Sequence, residues 1–441
     1  MPLSGRYHRI GVDMLRSSRI QLPLAWRDLR RLVAAGADTQ RRPFVKHVLW
    51  DFGRFCTGRV RPVKGETLER AIAAARWLAR AHEATGGKGL SYGYFPCRDV
   101  RGWRGAYPET TGYTIPTFLD VADVTGQGEF RARAIELAMW EVQCLMPSGA
   151  IAGGEHRPNA IGVPASFNTG MVLHGLIAAY RETGEPILGE SVRRAADFLV
   201  ADLDPNGHFR SHGAYVSNTI IKTYSCLCAW PLYMAGTHLG DPRYIAAALR
   251  AGDAALGQQR GRGWFANNCL TPRLHAPWLH TIAYTLQGLL ELSILSGEEK
   301  YRTPVLQAAE SLGRWCVDGF VQSRWYADWT PAGLGSCLTG SAQLAVVYYR
   351  LAEETGNARY RDMADTIVDY LKALQLLESP DHNLVGAIGG SFPLVGSYMR
   401  LGFPQWATKY FLDALLCQER LRRRATHAET GVVGALAARE S

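Results

Sequence analysis

Apolar residues recur at three- and four-residue intervals along most of the chain, in runs such as MVLHGLIAAY (171–180), YTLQGLLELSIL (284–295) and SAQLAVVYYRLA (341–352). That period places them on one face of an α-helix, so the pattern predicts helices and leaves little room for strands. Each run is followed by a Gly-containing break and then by a second helical pattern. Five such breaks are VTGQGEF, ETGEPIL, HLGDPRY, LSGEEKY and ETGNARY. Their glycines, Gly126, Gly184, Gly240, Gly297 and Gly356, step by 58, 56, 57 and 59 residues, and an apolar residue follows four places after each: Phe130, Leu188, Tyr244, Tyr301 and Tyr360. A fixed period of this length identifies one supersecondary unit repeated in space, here a helical hairpin.

A second glycine series marks where the second helix of each unit stops: Gly149, Gly207, Gly263 and Gly319, in PSGAI, PNGHF, GRGWF and VDGFV, with an earlier relative at Gly89. These read as helix C-caps followed by short extended pieces. A helix over roughly 66–85 has no partner before it, and one from Pro404 to Leu421 has none after it. Pairing the two gives six first helices and six second helices. The expected fold is therefore all-α, a closed (α/α)6 toroid over 65–421, preceded by a basic extension (1–64) and followed by a short tail (422–441). Within the extension, PLAWRDLRRLVAAG reads as an amphipathic helix.

Composition changes this picture little. The chain has 441 residues, 47% of them hydrophobic, and a formal charge of +9. The positive charge is terminal: residues 1–64 hold 14 Lys and Arg against 4 Asp and Glu, whereas 65–417 hold 30 against 33. Basic clusters at Arg27–Arg31 and Arg420–Arg424 read as solvated helix faces, and nucleic acid is not expected as a partner. No apolar run is long enough to span a bilayer, and the N-terminal residues lack a basic-then-apolar leader, so a cytoplasmic location is expected. Nine cysteines without paired spacing suggest reduced thiols. Cys226, Cys228, Cys269 and His275 lack metal-ligand spacing, and neither metal nor cofactor is expected.

The tight breaks share one rim of the toroid, and the other rim carries the long connections, 86–109, 148–167, 205–221, 261–280, 319–338 and 378–403. Sites are usually built on such loops. The first holds Tyr92, Asp99, Trp103, Arg104, Tyr107 and Glu109, and the second Glu155, His156, Arg157 and Asn159, with Asn168 at the next helix start. The third has His212 and Tyr215, followed by Lys222 and Tyr224. Trp264, Asn268, Arg273, His275 and His280 belong to the fourth, Trp325, Tyr326, Asp328 and Trp329 to the fifth, and Tyr398 to the sixth. Flat aromatic rings stack on sugar faces while Asn, Arg and His reach hydroxyls and carboxylates, so a carbohydrate is the expected ligand, with an acidic one among the options.

This organisation resembles the six-hairpin glycosidase superfamily, the (α/α)6 barrels that include glycoside hydrolases, polysaccharide lyases and sugar epimerases. The resemblance covers about 66–421 and rests on repeat organisation and rim composition. It implies a carbohydrate-active enzyme. Glycoside hydrolysis needs two carboxyl groups, and the rim acids flanked by aromatic or basic residues are Glu109 (AYPET), Glu155 (GGEHRP) and Asp328 (RWYADWT). The loop of Asp328 lies two sextants from that of Glu109 and opposite that of Glu155. Glu109 and Asp328 are the expected acid and base, with Glu155 as substitute or ligand. Glu109 also suits the start of a helix capped by Thr110 or Thr111. A lyase or epimerase using a His or Tyr base, or a glycan-binding toroid without catalysis, are the alternatives.

Overall fold

In a computed structural model of the chain, described over residues 26–98, 102–158, 160–271 and 275–437, the hairpins are formed as the repeat requires. After two N-terminal helices, α1 (Trp26–Ala37) and α2 (Arg42–Thr57), comes α3 (Thr67–Glu83). A short α4 (Pro108–Gly112) leads into α5 (Thr114–Thr125), and the remaining helices are α6 (Gly128–Cys144), α7 (Ser166–Thr183), α8 (Pro186–Asp202), α9 (Ala229–Leu239), α10 (Pro242–Leu256), α11 (Leu279–Ser296), α12 (Glu299–Gly313), α13 (Leu338–Thr355), α14 (Ala358–Lys372) and α15 (Gln405–Ala437). The inner helices α5, α7, α9, α11, α13 and α15 touch in sequence, and α15 returns to α5. On the outside, α15 packs on α3, the pairing that completes the sixth hairpin and closes the ring. Strands are short two-residue pairs among the long loops.

The tight breaks work as the spacing predicts. Gly126, Gly184, Gly240, Gly297 and Gly356 all end helices in the left-handed region, at φ between 67° and 74°. The staple residues after them are buried, and the hydroxyls of Tyr244, Tyr301 and Tyr360 reach back to acids of the preceding outer helix, Asp197, Asp253 and Glu310, at 2.8, 2.9 and 3.3 Å.

The second glycine series does something else. Its members lie several residues beyond their helix ends, so they are not C-caps. Each combines positive φ with close approach to the outer helix of the next hairpin: a Cβ on Gly149, Gly207, Gly263 or Gly319 would stand 2.1–2.5 Å from the carbonyl oxygens of Arg194, Arg250, Pro304 and Thr366. Gly386 continues the series across the seam, 2.1 Å from the Ala73 carbonyl of α3. A Cβ cannot fit there. Gly149→Ala is expected to cost about 2–4 kcal/mol in denaturant unfolding, from backbone strain plus the clash; a loss within experimental error would show that the loop can move away.

Two further expectations change. Thr110 and Thr111 do not cap a helix start: Pro108 opens α4, and both hydroxyls donate to the Tyr107 carbonyl, while that of Thr111 also accepts from the Leu90 N–H at 2.8 Å. At the other end α15 runs to Ala437, well past Leu421. The amphipathic helix in PLAWRDLRRLVAAG is α1, which lies with α2 outside the ring. Among the described residues no helix is long and apolar enough to cross a membrane, and all nine cysteines are unpaired.

Candidate active site

The long-loop end of the toroid axis opens into a cavity of about 260 Å³. Inner helices supply its floor. Tyr113, from the turn before α5, stacks near Tyr410 of α15 with centroids 5.4 Å apart, and Tyr284 of α11 lies 6.1 Å from Tyr410 and 4.3 Å from His280. These large rings fill the narrow middle of the ring, where six inner helices converge. Loops supply most of the walls, with Tyr92, Tyr107, Tyr215, Tyr398 and Met399 among the lining residues, joined by Trp406 from the first turn of α15. Tyr92 sits edge-on to both Tyr107 and Trp406, at 5.2 and 4.7 Å.

Glu109 lies in the first turn of α4. That helix is only five residues long, so its second residue is held at the point where the first long loop enters the inner ring. The side chain is surrounded by protein yet borders the cavity, and removal from bulk water pushes its pKa up to about 7, against the lowering effects of the Tyr107 hydroxyl and the Lys222 ammonium. Tyr107 donates to Glu109 Oε2 at 3.2 Å, and its hydroxyl lies 3.0 Å from that of Tyr215. This hydroxyl chain leads from the acid toward the exposed Tyr215 at the mouth. Among the described lining residues Glu109 is the sole carboxylate, and Lys222 the sole Lys or Arg. Burial brings Lys222 down to about 8 although Glu109 acts to raise it, and its Nζ stands 5.8 Å from the Tyr224 ring.

The two histidines at the cavity are held neutral by burial, His280 at about 4. His280 Nδ1 is 2.7 Å from Gln343 Oε1, an atom that only accepts, so the proton belongs on Nδ1 and Nε2 keeps its lone pair. His212 Nε2 lies 2.6 Å from the Ile220 carbonyl, which fixes the opposite tautomer. Asn168 also lines the cavity, its amide donating to Ala152 O at 3.3 Å.

The other expected site residues go elsewhere. Asp328 occupies an exposed turn of the fifth loop, where Oδ1 accepts from both the N–H and the hydroxyl of Thr330, at 2.9 and 2.6 Å. It does not line the cavity, and the structure does not bring it to Glu109. Glu155 is bound by Arg104, with Nε at 2.9 Å, and by the Gly105 N–H. The pair sits outside the cavity, with Arg104 5.4 Å from the Tyr92 ring.

Several aromatics are structural. Trp325 is fully buried and donates to Gln322 O, while Trp329 donates to Arg262 O. Trp103 donates to Asn383 and packs on Trp77. Trp264 and Tyr326 belong to loops away from the lining. Asn268 accepts from Thr285, His156 stacks edge-on with Trp140, and Arg157 and His275 are exposed. Asp99, Asn159 and Arg273 lie outside the described residues. Conversely Lys222, Tyr224, Tyr284, Tyr398 and Trp406 build the cavity; by sequence Lys222 and Tyr224 only follow the third loop, Tyr398 lies within the sixth, and Tyr284 and Trp406 sit in helical runs.

No family model and no curated protein matches the sequence. Solved structures do match in shape. An unsaturated glucuronyl hydrolase specific for heparin superposes with a TM-score of 0.66 at 16% identity, covering 81% of this chain and 99% of its own. The unsaturated glucuronyl hydrolase of Bacillus sp. GL1, responsible for the degradation of glycosaminoglycan, gives 0.62 at 17% identity over 80% and 97%. A third from Streptococcus agalactiae gives 0.59 at 13% over 81% and 92%. At these identities the likeness establishes the α/α toroid. About a fifth of this chain lies outside each match.

Proposed function

We propose that the protein is a carbohydrate-active hydrolase that removes a terminal acidic sugar, with Glu109 giving and taking the proton. The observation that carries this reading is a carboxyl group lifted to a pKa of about 7 in an aromatic cavity, the one carboxylate among the described lining residues, with Lys222 as their one ammonium group. A mechanism that divides acid and base between two carboxyl groups finds no second one among the described lining residues. One carboxyl group suffices when the sugar ring itself contains an enol ether, the chemistry suggested by the unsaturated glucuronyl substrates of the similar folds.

The step balances with Glu109 alone. Its carboxylic acid gives a proton to the ring carbon β to the ring oxygen, and positive charge develops on the carbon bonded to that oxygen. Water adds there and returns a proton to the Glu109 carboxylate. The hemiketal so formed opens and the glycosidic bond breaks, releasing the aglycone as an alcohol. Lys222 pairs with the sugar carboxylate, and the Tyr107–Tyr215 hydroxyls orient water. A cavity this small is at the lower end for small-molecule sites, which favours a terminal residue over a strand passing through.

A second reading draws on the same Lys222. A cation neutralising a uronate beside the Tyr107 and Tyr215 hydroxyls also suits proton abstraction by a lyase. The two have opposite signatures. With saturated and unsaturated uronate oligosaccharides as substrates, loss of the conjugated ultraviolet band together with new reducing ends supports hydration-led hydrolysis. Gain of that band from saturated chains supports a lyase. Reducing ends from saturated or neutral chains alone support ordinary hydrolysis, and binding without any of these changes would sink the enzymatic reading. In this assay Asp328→Ala is expected to stay within about twofold of the parent, as befits a surface turn residue; a hundredfold loss would return Asp328 to the mechanism.

A further inference from the structure

Helices α1 and α2 lie outside the ring, yet their most buried polar groups all address one loop. Asp51 of α2, 5% exposed, accepts the Leu394 N–H at 2.6 Å. Asp28 of α1, 6% exposed, pairs with Arg31 of its own helix at 3.2 Å through one oxygen and with Arg400 at 3.4 Å through the other. Between these, Phe55 meets Phe392 edge-on at 5.8 Å and Phe44 meets Phe403 at 6.2 Å. While Arg54 of α2 also donates to Ala373 O at 3.1 Å, these four ring-side partners fall between 392 and 403. At its two ends this segment is pinned by strand pairs, Ser391–Phe392 with Ser336–Cys337 and Phe403–Pro404 with Gly93–Tyr94. Its middle carries Tyr398 and Met399 to the cavity wall.

That middle is not a conformation the loop would choose alone. Met399 and Leu401 sit at φ +43° and +57°, a region that side chains other than glycine and asparagine rarely occupy, and two such residues so close together persist only when surroundings hold them. The ring holds the middle from the inside: Tyr398 receives the Trp406 indole N–H at 2.9 Å and packs on Trp278 and His280 at 5.2 and 5.4 Å, the Ser397 hydroxyl bonds the Leu334 backbone, and Tyr92 reaches the Met399 sulfur at 3.6 Å. The outside adds a second set, two buried acids and two aromatic edge contacts spread along the loop from its start to its end. Without Asp51 the Leu394 N–H would be buried with no acceptor, so the cheapest response is for the loop to leave.

We propose that α1 and α2 form a clamp on the 391–403 loop, with Asp51 and Asp28 as positioning residues that set Tyr398 and Met399 against the bound sugar. The part of the clamp that concerns sugar rests on the proposed function, whereas the clamping of the loop does not. Asp51→Ala and Arg400→Ala are the disrupting variants. Asp51→Asn is the conservative one, because its amide oxygen can still accept from Leu394. Amide hydrogen exchange of 391–403 reads the clamp with no substrate present. Both disrupting variants are expected to speed exchange there by about tenfold or more while the inner helices stay protected, and Asp51→Asn to remain near the parent. With a turned-over sugar, KM is expected to rise about tenfold and kcat to change by less than about threefold, since Glu109 is untouched. Unchanged exchange in 391–403 would overturn the clamp. Faster exchange with an unaltered KM would reduce α1 and α2 to structural packing. Failure of every sugar to react would count against the proposed function alone, leaving exchange to decide the clamp. Should Asp51→Ala fail to fold, Arg400→Ala opens the same loop from the ring side.

Discussion

Glu109→Gln is expected to lose about 10²–10⁴ in turnover and to gain stability above neutral pH. Both effects come from the same burial. The glutamine keeps the shape and can still accept from the Tyr107 hydroxyl, but it cannot deliver a proton. In the proposed hydrolysis Glu109 is protonated for the first step, so kcat is expected to be level at acidic pH and to fall as pH rises through about 7, the value to which burial lifts the group. For stability the sign runs the same way. The folded pKa is above the unfolded one, so the folded state holds its proton over a window where the unfolded chain has lost it. Stability from this group is therefore highest below the unfolded value of 4.5 and declines as pH rises toward 7. At pH 8 the parent keeps a buried carboxylate that the variant lacks, and Glu109→Gln is expected to be more stable by on the order of 2 kcal/mol. Thermal unfolding at pH 5 and pH 8 reads the difference. Equal shifts at both pH values would mean that the carboxyl group is not held protonated, and activity near the parent's would remove it from the chemistry.

Lys222→Met should separate substrate recognition from proton transfer. If it pairs with a sugar carboxylate as proposed, truncating this half-buried cation is expected to cost about 2–3 kcal/mol of binding, or roughly a hundredfold in KM for acidic sugars, with neutral analogues bound as before. It also has a remote signature. The ammonium lowers the pKa of Glu109, so its removal should move the alkaline fall of kcat to higher pH. In the parent, affinity for acidic sugars should weaken above about pH 8, where burial lets Lys222 lose its proton. A variant that binds acidic and neutral sugars equally well as the parent would assign the cation a merely structural role.

Most of the fold could be read from residue spacing because helical hairpins repeat their punctuation. Gly126 and its four counterparts need left-handed backbone at the same place in each unit, and Tyr244, Tyr301 and Tyr360 need a covered pocket beside it. Those are local demands. The second glycine series was visible for the same reason but its cause was not: what Gly149 avoids is the Arg194 carbonyl, an atom of another hairpin. Glu109 stood out as an acid at a junction where the other units place different residues. Choosing its partner failed, since nothing local says that Asp328 turns back onto Thr330 or that Arg104 reaches Glu155 from 51 residues away. Rim aromatics divide likewise. Trp325 and Trp329 occur in as promising a stretch as Tyr107, yet Trp325 is buried within the fifth loop and Trp329 ties that loop to Arg262 of the fourth, while Tyr284 and Trp406 face the cavity from helices that read as plain core. Whether a ring lines the lumen depends on how its helix is rotated in the closed toroid, which period alone does not specify.

The seam through which the ring closes also sets the order in which the protein can be built. Helix α3 is among the first toroid elements to leave the ribosome, but the inner helix it packs against, α15, begins some 320 residues later. Until then the apolar face of α3, with Trp77 and Leu78, lacks its native cover, and Gly386 has yet to dock on Ala73. Contacts of such long sequence separation form slowly and leave intermediates prone to sticking to one another. Hairpins α7–α8 through α13–α14 can assemble as they appear, so the final rate-limiting event is the meeting of the two ends. A chain stopped before 405 would be an open arc with two exposed apolar edges, poised to close on a second copy of itself.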